Sequence, residues 1–282
     1  MILSIITINR NNVTGLKQTL QSVHGQTFVE FEYIVVDGGS TDGSVELIGE
    51  YAHAFNGRMK WISEPDLGIY DAMNKGIKMA TGDYLEFINS GDSLISDNVV
   101  GKITEVLTKK QFPSILYGNM IKVSPDGHRV KDLCFAGQDI SFLGFYSGSL
   151  NHSPTFIKRI LFEKYGLYDD SLKIVSDWKW YLQAIIFGKE KPVYTNTDVT
   201  LFDMTGISET NKDLDKAERM AVLAELIPAP ILADYNNYSF AIDQFKRLKR
   251  HPWAYSIVWC LERILFKYEK AIRQRLKISE YK

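Results

Sequence analysis

The sequence predicts an α/β fold, with a mostly parallel sheet flanked by helices and a C-terminal helical extension. In the first hundred residues, short apolar runs rich in β-branched residues alternate with segments of helical spacing. The lengths of these segments fit βαβ units, which build parallel sheets. From residue 213 onward the pattern becomes mostly helical.

The elements of the first half follow one another in strict alternation. Buried strands are predicted at residues 2–8, 31–37 and 59–63, because these runs are apolar and rich in β-branched or aromatic residues. Helices are predicted at 13–26 and 45–55, where leucine, valine or isoleucine residues recur at helical spacing.

A third helix and a fourth strand complete this half, at residues 68–81 and 84–90. After Asp97 the pattern loosens, and strands and helices no longer alternate regularly. The elements predicted there are strands at 114–124, 128–135 and 192–204, helices at 154–166 and 175–188, and a loop at 206–211.

Length and composition indicate an ordinary globular protein. The chain has 282 residues, of which 45% are hydrophobic and 24% charged, and its net charge of −1 gives no reason to expect a nucleic-acid partner. Cys134 and Cys260 are far apart and lack metal-ligand spacing, which is typical of a reducing compartment. We expect neither a signal peptide nor a spanning helix, and therefore a cytoplasmic location.

Polar residues at strand ends mark the predicted ligand site. Ligands of parallel sheets bind outside the carboxyl ends of the strands. The polar residues at those ends are Thr7, Asn9, Asp37 and Asp92, and we expect all four to face one crevice. The sequence has no G-x-G-x-x-G or G-x-x-x-x-G-K-[ST] motif, so neither a dinucleotide fold nor a P-loop is supported.

Asp92 ends the fourth strand in the turn "INSGDSL". One interpretation is a turn aspartate that caps a helix starting near Asn98. The other is a ligand for Mg²⁺ or Mn²⁺, which bind one or two carboxylates together with phosphate oxygens and water. The position at the binding edge of the sheet favours the metal.

Two further stretches carry candidate donor-binding residues. Asp37, in "VVDGGSTD", could accept from a nucleobase N–H or a ribose hydroxyl, or simply bond its own turn. In "EPDLGIYDAMNKG", Asp71 and Asn74 share one helical face, and Asp66 lies in a loop. A surface pair of Asp71 with Lys75 is the alternative, although it leaves Asp66 unexplained.

Asp177 stands in "VSDWKW", beside Trp178 and Trp180. It is either a helix N-cap or a general base. Apolar aromatic neighbours would raise the pKa of its carboxyl group, which suits a group that takes a proton from a hydroxyl. His152 and Trp178 are candidates for the same site, while a packing role for His152 is the alternative.

These motifs, in this order, resemble the family-2 glycosyltransferases of GT-A fold over roughly residues 1–210. They read "SIITINRN", "QSVHGQTFVEFEYIVVDGGSTDGS", "EPDLGIYDAMNKGIKMATGDYLEFINSGD" and "GLYDDSLKIVSDWKWYL". The form "DLGIYDAMNKG" most resembles bacterial enzymes that build cell-surface polysaccharides. The resemblance implies a nucleotide-binding half at 1–100, an acceptor half at 101–210 and a helical extension at 211–282.

The resemblance also implies a role for each candidate residue. Asp177 would be the catalytic base of an inverting single displacement, from a nucleotide-sugar donor to a saccharide or lipid-linked acceptor. Asp92 would be the last acid of a motif that holds Mn²⁺ or Mg²⁺. The residues implied to line the nucleotide and donor-sugar pocket are Thr7, Asn9, Asp37, Asp66, Asp71 and Asn74.

Three positions depart from the family pattern. Many relatives carry a second acid at the position of Gly38, an aspartate at that of Asn89, and a glutamate at that of Ser176. The loss of the carboxylate at position 89 implies weak metal binding in the absence of a diphosphate. Two other functions remain open on the residues alone: a sugar-phosphate nucleotidyltransferase and a non-catalytic nucleotide-sugar binding module.

The C-terminal segment differs from the rest in charge. Between Phe245 and Lys282 it carries eleven Lys or Arg residues against three acids, interleaved with large apolar residues. Trp253, Ile257 and Leu261 begin an apolar stripe of helical spacing. We expect this stripe to lie on an anionic membrane surface, at the inner face of the plasma membrane, or to pack on protein.

Overall fold

A nine-stranded mixed sheet organises the computed structural model, which describes residues 3–136, 138 and 140–276. The spatial order of the strands is β3-β2-β1-β4-β8-β6-β9-β5, and β7 pairs with β6. The strands are β1 (Leu3–Asn9), β2 (Phe31–Asp37), β3 (Met59–Ser63), β4 (Tyr84–Phe87), β5 (Ser93–Leu94), β6 (Ile115–Val123), β7 (Arg129–Asp132), β8 (Thr155–Lys158) and β9 (Val193–Asp203).

Helices connect the strands and form the C-terminal segment. They are α1 (Val13–His24), α2 (Ser44–Ala54), α3 (Ile69–Met79), α4 (Val99–Lys109), α5 (Phe142–Ser147), α6 (Ile160–Tyr165), α7 (Ser176–Tyr181), α8 (Ile207–Thr210), α9 (Lys212–Leu226), α10 (Ala229–Lys249) and α11 (Pro252–Leu276). A π-helical turn, Leu182–Phe187, continues α7.

The first half forms the parallel part of the sheet, as predicted. Strand β1 pairs in parallel with β2 and β4, and β2 pairs in parallel with β3. All seven positions of both β1 and β2 are buried, because structure covers both faces of these strands. The second half adds antiparallel pairs of β8 with β4 and β6. The α/β class is therefore confirmed, with a mixed rather than uniformly parallel sheet.

Helix α3 lies close against β1 because of one glycine. A Cβ atom on Gly76 would lie 2.5 Å from Cγ2 of Ile6, which is fully buried in β1. The missing side chain therefore allows the helix backbone to approach the strand. This approach fixes the height of α3 over the sheet, and with it the positions of Asp71 and Asn74.

Three local predictions differ from the structure. The helix predicted at 154–166 begins instead with strand β8, and only Ile160–Tyr165 is helical. Strand β8 pairs on both sides, with β4 and with β6, so tertiary pairing overrides the local helical pattern. The loop predicted at 206–211 contains α8, and α5 lies in a stretch where no element was predicted.

The described chain divides into two compact units, one ending at Val222 and the other beginning at Leu223. This division lies later than the boundary at residue 210 expected from the sequence. The second unit contains α10 and α11. Among the described residues, no helix combines the length and apolarity needed to cross a membrane.

A pair of glycine substitutions tests the close packing of α3. We expect Gly76→Ala to lower the free energy of unfolding by about 1–3 kcal/mol, because the new methyl group overlaps Ile6. The matched control is Gly49→Ala in α2, where a Cβ would meet nothing within 4 Å. That change should raise stability by about 0.5–1 kcal/mol. Urea denaturation of the two variants should show shifts of opposite sign, and equal shifts would contradict the packing argument.

Candidate active site

The carboxyl ends of β1 and β4 open into a cavity of about 1040 Å³. Its volume suits a ligand of nucleotide-sugar size. The candidate residues that the structure brings to its lining are Asn9, Asp66, Asp92, His152 and Asp177. Thr7, Asp37, Asp71, Asn74 and Trp178 do not belong to this lining.

Asp92 lies in the tight turn after β4 and is 4% exposed. Its Oδ1 accepts a hydrogen bond from the backbone N–H of Asp203 at 2.9 Å, which ties the turn to the end of β9. Gly91 takes a φ of 106°, and a Cβ there would lie 3.1 Å from Asp203 Oδ2. The turn therefore brings two carboxylates from distant strands to one wall of the cavity.

Burial gives Asp92 unusual acid–base properties. It raises the pKa of this carboxyl group to about 7, against the opposing influence of His152 and the backbone N–H of Asp203. In the part of the chain that the structure describes, no Lys or Arg forms an ion pair with Asp92 or Asp203. A positive charge bound between them would stabilise the ionised forms.

Asp92 and Asp203 are the carboxylates that could hold a divalent cation. Within residues 3–136, 138 and 140–276, no three His, Cys, Asp or Glu side chains form a metal-binding group. Two carboxylates fit a hard cation that completes its shell with diphosphate oxygens and water. The donor set thus suits a metal that arrives with a phosphorylated ligand better than a resident one.

Asp177 also lines the cavity and is held by three groups. Its Oδ1 accepts from the Tyr70 hydroxyl at 2.9 Å and from the Trp178 backbone N–H at 2.8 Å. Its Oδ2 is 3.5 Å from Nδ1 of His152. The carboxylate is 15% exposed, so it is oriented by protein groups while one edge remains open to the cavity.

These contacts reverse the pKa shift that the sequence predicted for Asp177. Burial alone would raise the pKa of this group, but hydrogen bonds from His152 and Tyr70 stabilise the charged form and lower the pKa below its ordinary value. The Trp178 backbone N–H also helps to lower the pKa of Asp177. Trp178 and Trp180 are buried, and their indole N–H groups donate to the carbonyls of Phe145 and Gly166.

His152 connects the two carboxylate regions. Burial opposes its charged form, but Asp177 and Asp92 together raise the pKa of the imidazole above its usual value. Its Nε2 lies 3.3 Å from Nδ2 of Asn89, the residue at which relatives often carry an acid. Asn89 therefore faces the histidine. At this position of the acidic motif the chain has an amide that contacts the imidazole, and not a carboxylate.

The polar ends of β1 and β2 form a network beneath the cavity. Asn9 donates to Asp37 Oδ1 at 2.8 Å, and the hydroxyls of Ser40 and Ser63 also donate to this carboxylate. Burial alone would raise the pKa of Asp37, but these bonds lower it. Asp37 is fully buried, so the expectation that it faces the crevice is wrong, and the turn-forming interpretation describes its contacts.

Thr7 also lies away from the crevice, contrary to expectation. Its hydroxyl is buried between β1 and its neighbours, where it donates to the Ile88 carbonyl at 2.7 Å. The same oxygen lies 2.9 Å from the Tyr33 hydroxyl. Because both faces of β1 are buried, its polar side chains can be satisfied within the core.

Asp66 takes the space that the missing side chain of Gly38 leaves. A Cβ on Gly38 would lie 2.1 Å from Asp66 Oδ2. Asp66 Oδ1 accepts from the backbone N–H of Gly68 at 3.1 Å and lies 3.4 Å from Nη1 of Arg10. A carboxylate from the loop before α3 therefore stands beside β2, where many relatives have an acid on the β2 turn itself.

Asp71 and Asn74 make structural contacts that hold helix α3 in place. Asp71 accepts from the Leu67 N–H at the start of its own helix and pairs with Lys75 at 3.2 Å, as the alternative interpretation proposed. Asn74 exchanges two hydrogen bonds with the backbone of Tyr168. These contacts join α3 to neighbouring loops, and in this structure they leave neither side chain in the cavity.

The sequence analysis missed two residues of the site. Asp203 ends a predicted strand, so the reasoning that selected Asp92 could also have found it. Tyr70 lies in the stretch "EPDLGIYDAMNKG", but its contact with Asp177 spans 107 positions of sequence. No local spacing indicates such a contact.

Comparisons with known proteins identify the family of the chain. Residues 4–166 match the model of the family described as Glycosyl transferase family 2. An uncharacterized glycosyltransferase of Mycobacterium tuberculosis is 34% identical over 207 residues, covering 72% of this chain and 76% of the relative. A PGL/p-HBAD biosynthesis glycosyltransferase of Mycobacterium bovis is 27% identical over 225 residues, covering 79% and 85%.

Solved structures share the fold at low identity. TarS 1-349 of S. aureus, in complex with UDP-GlcNAc, superposes with a TM-score of 0.64 at 19% identity, covering 81% of this chain and 67% of that one. The mannosyltransferase PcManGT of Pyrobaculum calidifontis, with GDP-Man and Mn²⁺, gives 0.61 at 14% identity, covering 96% and 80%. The fold is therefore GT-A, and the chain belongs to glycosyltransferase family 2.

Proposed function

We propose that the protein is an inverting glycosyltransferase that moves a sugar from a nucleoside diphosphate donor to a hydroxyl of a saccharide or lipid-linked acceptor. The observation that carries this proposal is that two unlike carboxylate sites line one cavity. Asp177 is an oriented, ionised carboxylate with one open edge. The buried Asp92 and the partly exposed Asp203 form an acidic wall suited to a cation and a diphosphate.

In the proposed reaction, Asp177 takes the proton of the acceptor hydroxyl. The acceptor oxygen forms a bond to the anomeric carbon while the bond from that carbon to the diphosphate oxygen breaks on the opposite face. Configuration inverts, and the nucleoside diphosphate leaves with the bonding electrons. Tyr70 and His152 orient Asp177 and stabilise its charge before the proton arrives.

The divalent metal is proposed to be Mn²⁺ or Mg²⁺, held by Asp92 and Asp203. When bound, such an ion would stabilise negative charge on the departing diphosphate. The solved complexes of PcManGT with Mn²⁺ and GDP-Man support this assignment. The weak two-carboxylate site and the raised pKa of Asp92 fit an ion that binds together with the donor.

The donor nucleotide is proposed to lie along β1 and the loop before α3. Asn9 and Asp66 line that part of the cavity, and Arg10 lies beside Asp66. Asp37, Thr7, Asp71 and Asn74 would act on the nucleotide indirectly, through the buried bonds that hold these segments. TarS binds UDP-GlcNAc and PcManGT binds GDP-Man, so a nucleoside diphosphate sugar is the donor class that both structural neighbours support.

The C-terminal segment is proposed to dock on an anionic membrane surface. Helix α11 exposes a stripe of large apolar residues, of which Trp253 is 70% and Leu265 66% exposed. Basic residues flank the stripe, the composition of an interfacial helix. A membrane-bound enzyme would meet lipid-linked acceptors, in keeping with polysaccharide or glycolipid synthesis at the inner face of the plasma membrane.

The role of Asp177 is tested by Asp177→Asn. We expect the rate of transfer to fall by about 10²–10⁴, the usual cost of losing a general base, while nucleoside diphosphate affinity stays within about three-fold. The control is Asp234→Asn, on an exposed position of α10. Transfer by the Asp177 variant at the wild-type rate would place the base elsewhere. Release of pyrophosphate from a nucleoside triphosphate and a sugar 1-phosphate, with no nucleoside diphosphate released from nucleotide sugars, would favour the nucleotidyltransferase instead.

Metal binding is tested by calorimetry with a nucleoside diphosphate, in Mn²⁺ or in chelator. We expect metal to tighten binding at least about ten-fold in the wild type and not in Asp92→Ala. Asp203→Asn should also lose the effect, although its backbone bond to Asp92 is kept. Equal affinity with and without metal in the wild type would contradict the site.

Membrane docking is tested by co-sedimentation of the full chain with anionic vesicles. Each basic residue near such a surface contributes about 1 kcal/mol, so the double variant Lys267→Glu and Lys270→Glu should bind more than ten-fold more weakly. The matched control is Lys109→Glu with Lys110→Glu, at the end of α4. Equal sedimentation of all three proteins, or none at low salt, would assign the stripe to protein packing.

A further inference from the structure

Helix α9 carries a carboxylate that binds three consecutive backbone N–H groups. Glu218 Oε1 accepts from Lys173 at 2.8 Å, and Oε2 accepts from Ile174 at 2.9 Å and from Val175 at 3.3 Å. These N–H groups belong to the turn that leads into α7. Val175, the N-cap of α7, makes no side-chain capping bond, so Glu218 supplies from another helix what a local cap would give.

This turn is connected to the candidate base by a short path. The carbonyl of Ile174, whose N–H is held by Glu218, lies 2.5 Å from the hydroxyl of Tyr70. That hydroxyl in turn lies 2.9 Å from Asp177 Oδ1. A displacement of residues 173–175 would therefore move both Tyr70 and the start of the helix that carries Asp177.

Arg219, the next residue on α9, contacts Trp178, which follows Asp177 in the sequence. The Arg219 guanidinium lies 4.7 Å from the centre of the Trp178 ring, and its Nη1 donates to the Gly148 carbonyl at 3.2 Å. Asp215, one turn earlier, binds Arg219 Nε at 3.0 Å and fixes the guanidinium. Glu218 and Arg219 thus contact residues 173–175 and Trp178, on either side of Asp177 in the sequence.

We propose that Glu218 and Arg219 are positioning residues that set the orientation of Asp177 for proton transfer. This inference rests on the proposed role of Asp177 as base. Displacing a catalytic group by about 1 Å can cost on the order of 10² in rate, so a clamp of this kind acts on the chemical step. Glu218 does not line the cavity, so its effect on Asp177 needs no contact with the substrate.

The principal test compares Glu218→Ala with the wild type in steady-state transfer. We expect kcat to fall about 10–100-fold while the KM for the donor changes less than about three-fold, because the donor contacts lie on other elements. Glu218→Gln keeps one accepting oxygen and should recover part of the loss. Lys216→Ala, on an exposed position of the same helix, is the control and should match the wild type.

A double-variant cycle separates positioning from general damage. In an Asp177→Asn background, Glu218→Ala should cost less than about two-fold more, because the group that it positions is already lost. An equal loss in both backgrounds, or an unchanged kcat in the single variant, would overturn the proposal.

Hydrogen exchange gives a readout that does not depend on activity. The amides of residues 173–175 should exchange at least about ten-fold faster in Glu218→Ala than in the wild type, and unchanged exchange would overturn the clamp. If Asp177→Asn transfers sugar normally, the assignment of the base fails, whereas the exchange result still reports on the Glu218 contacts. The two failures are therefore distinguishable.

Discussion

The site depends on the parallel register of β1 with its two neighbours. That register places Asn9 opposite Asp37 and Ile6 opposite Phe87, so the ends of three strands meet at one edge of the sheet. Because β1 and β2 are buried on both faces, a slip of one residue would exchange every side chain between two packed layers. The polar network and the acidic turn after β4 are consequences of this alignment.

The protein treats its buried carboxylates in two different ways. Asp37 and Asp177 are surrounded by hydrogen-bond donors, which hold them ionised despite burial. Asp92 receives one backbone N–H and lies near the Asp203 carboxylate, so burial dominates and its pKa rises to about 7. Protein groups alone stabilise the ionised forms of Asp37 and Asp177. The ionised form of Asp92 would be stabilised most by a bound cation. The difference follows from the number of hydrogen-bond donors that the protein places around each carboxylate.

The sequence predicted the alternating first half and the edge where ligands bind, because hydrophobic periodicity and strand ends are local signals. It also selected Asp92 and Asp177, which line the cavity. It could not predict that Asn9 lines the cavity while Thr7 does not. A strand that is buried on both faces shows no alternation of polar and apolar residues that would distinguish the two positions. The partners of Asp177 were equally hidden, because contacts across more than a hundred positions arise from packing and not from spacing.

The space shared by Gly38 and Asp66 constrains how this chain can change over evolutionary time. A side chain at position 38 and the Asp66 carboxylate would occupy the same volume, since they would approach to 2.1 Å. An acid at position 38 would therefore require the Asp66 carboxylate to leave its present position.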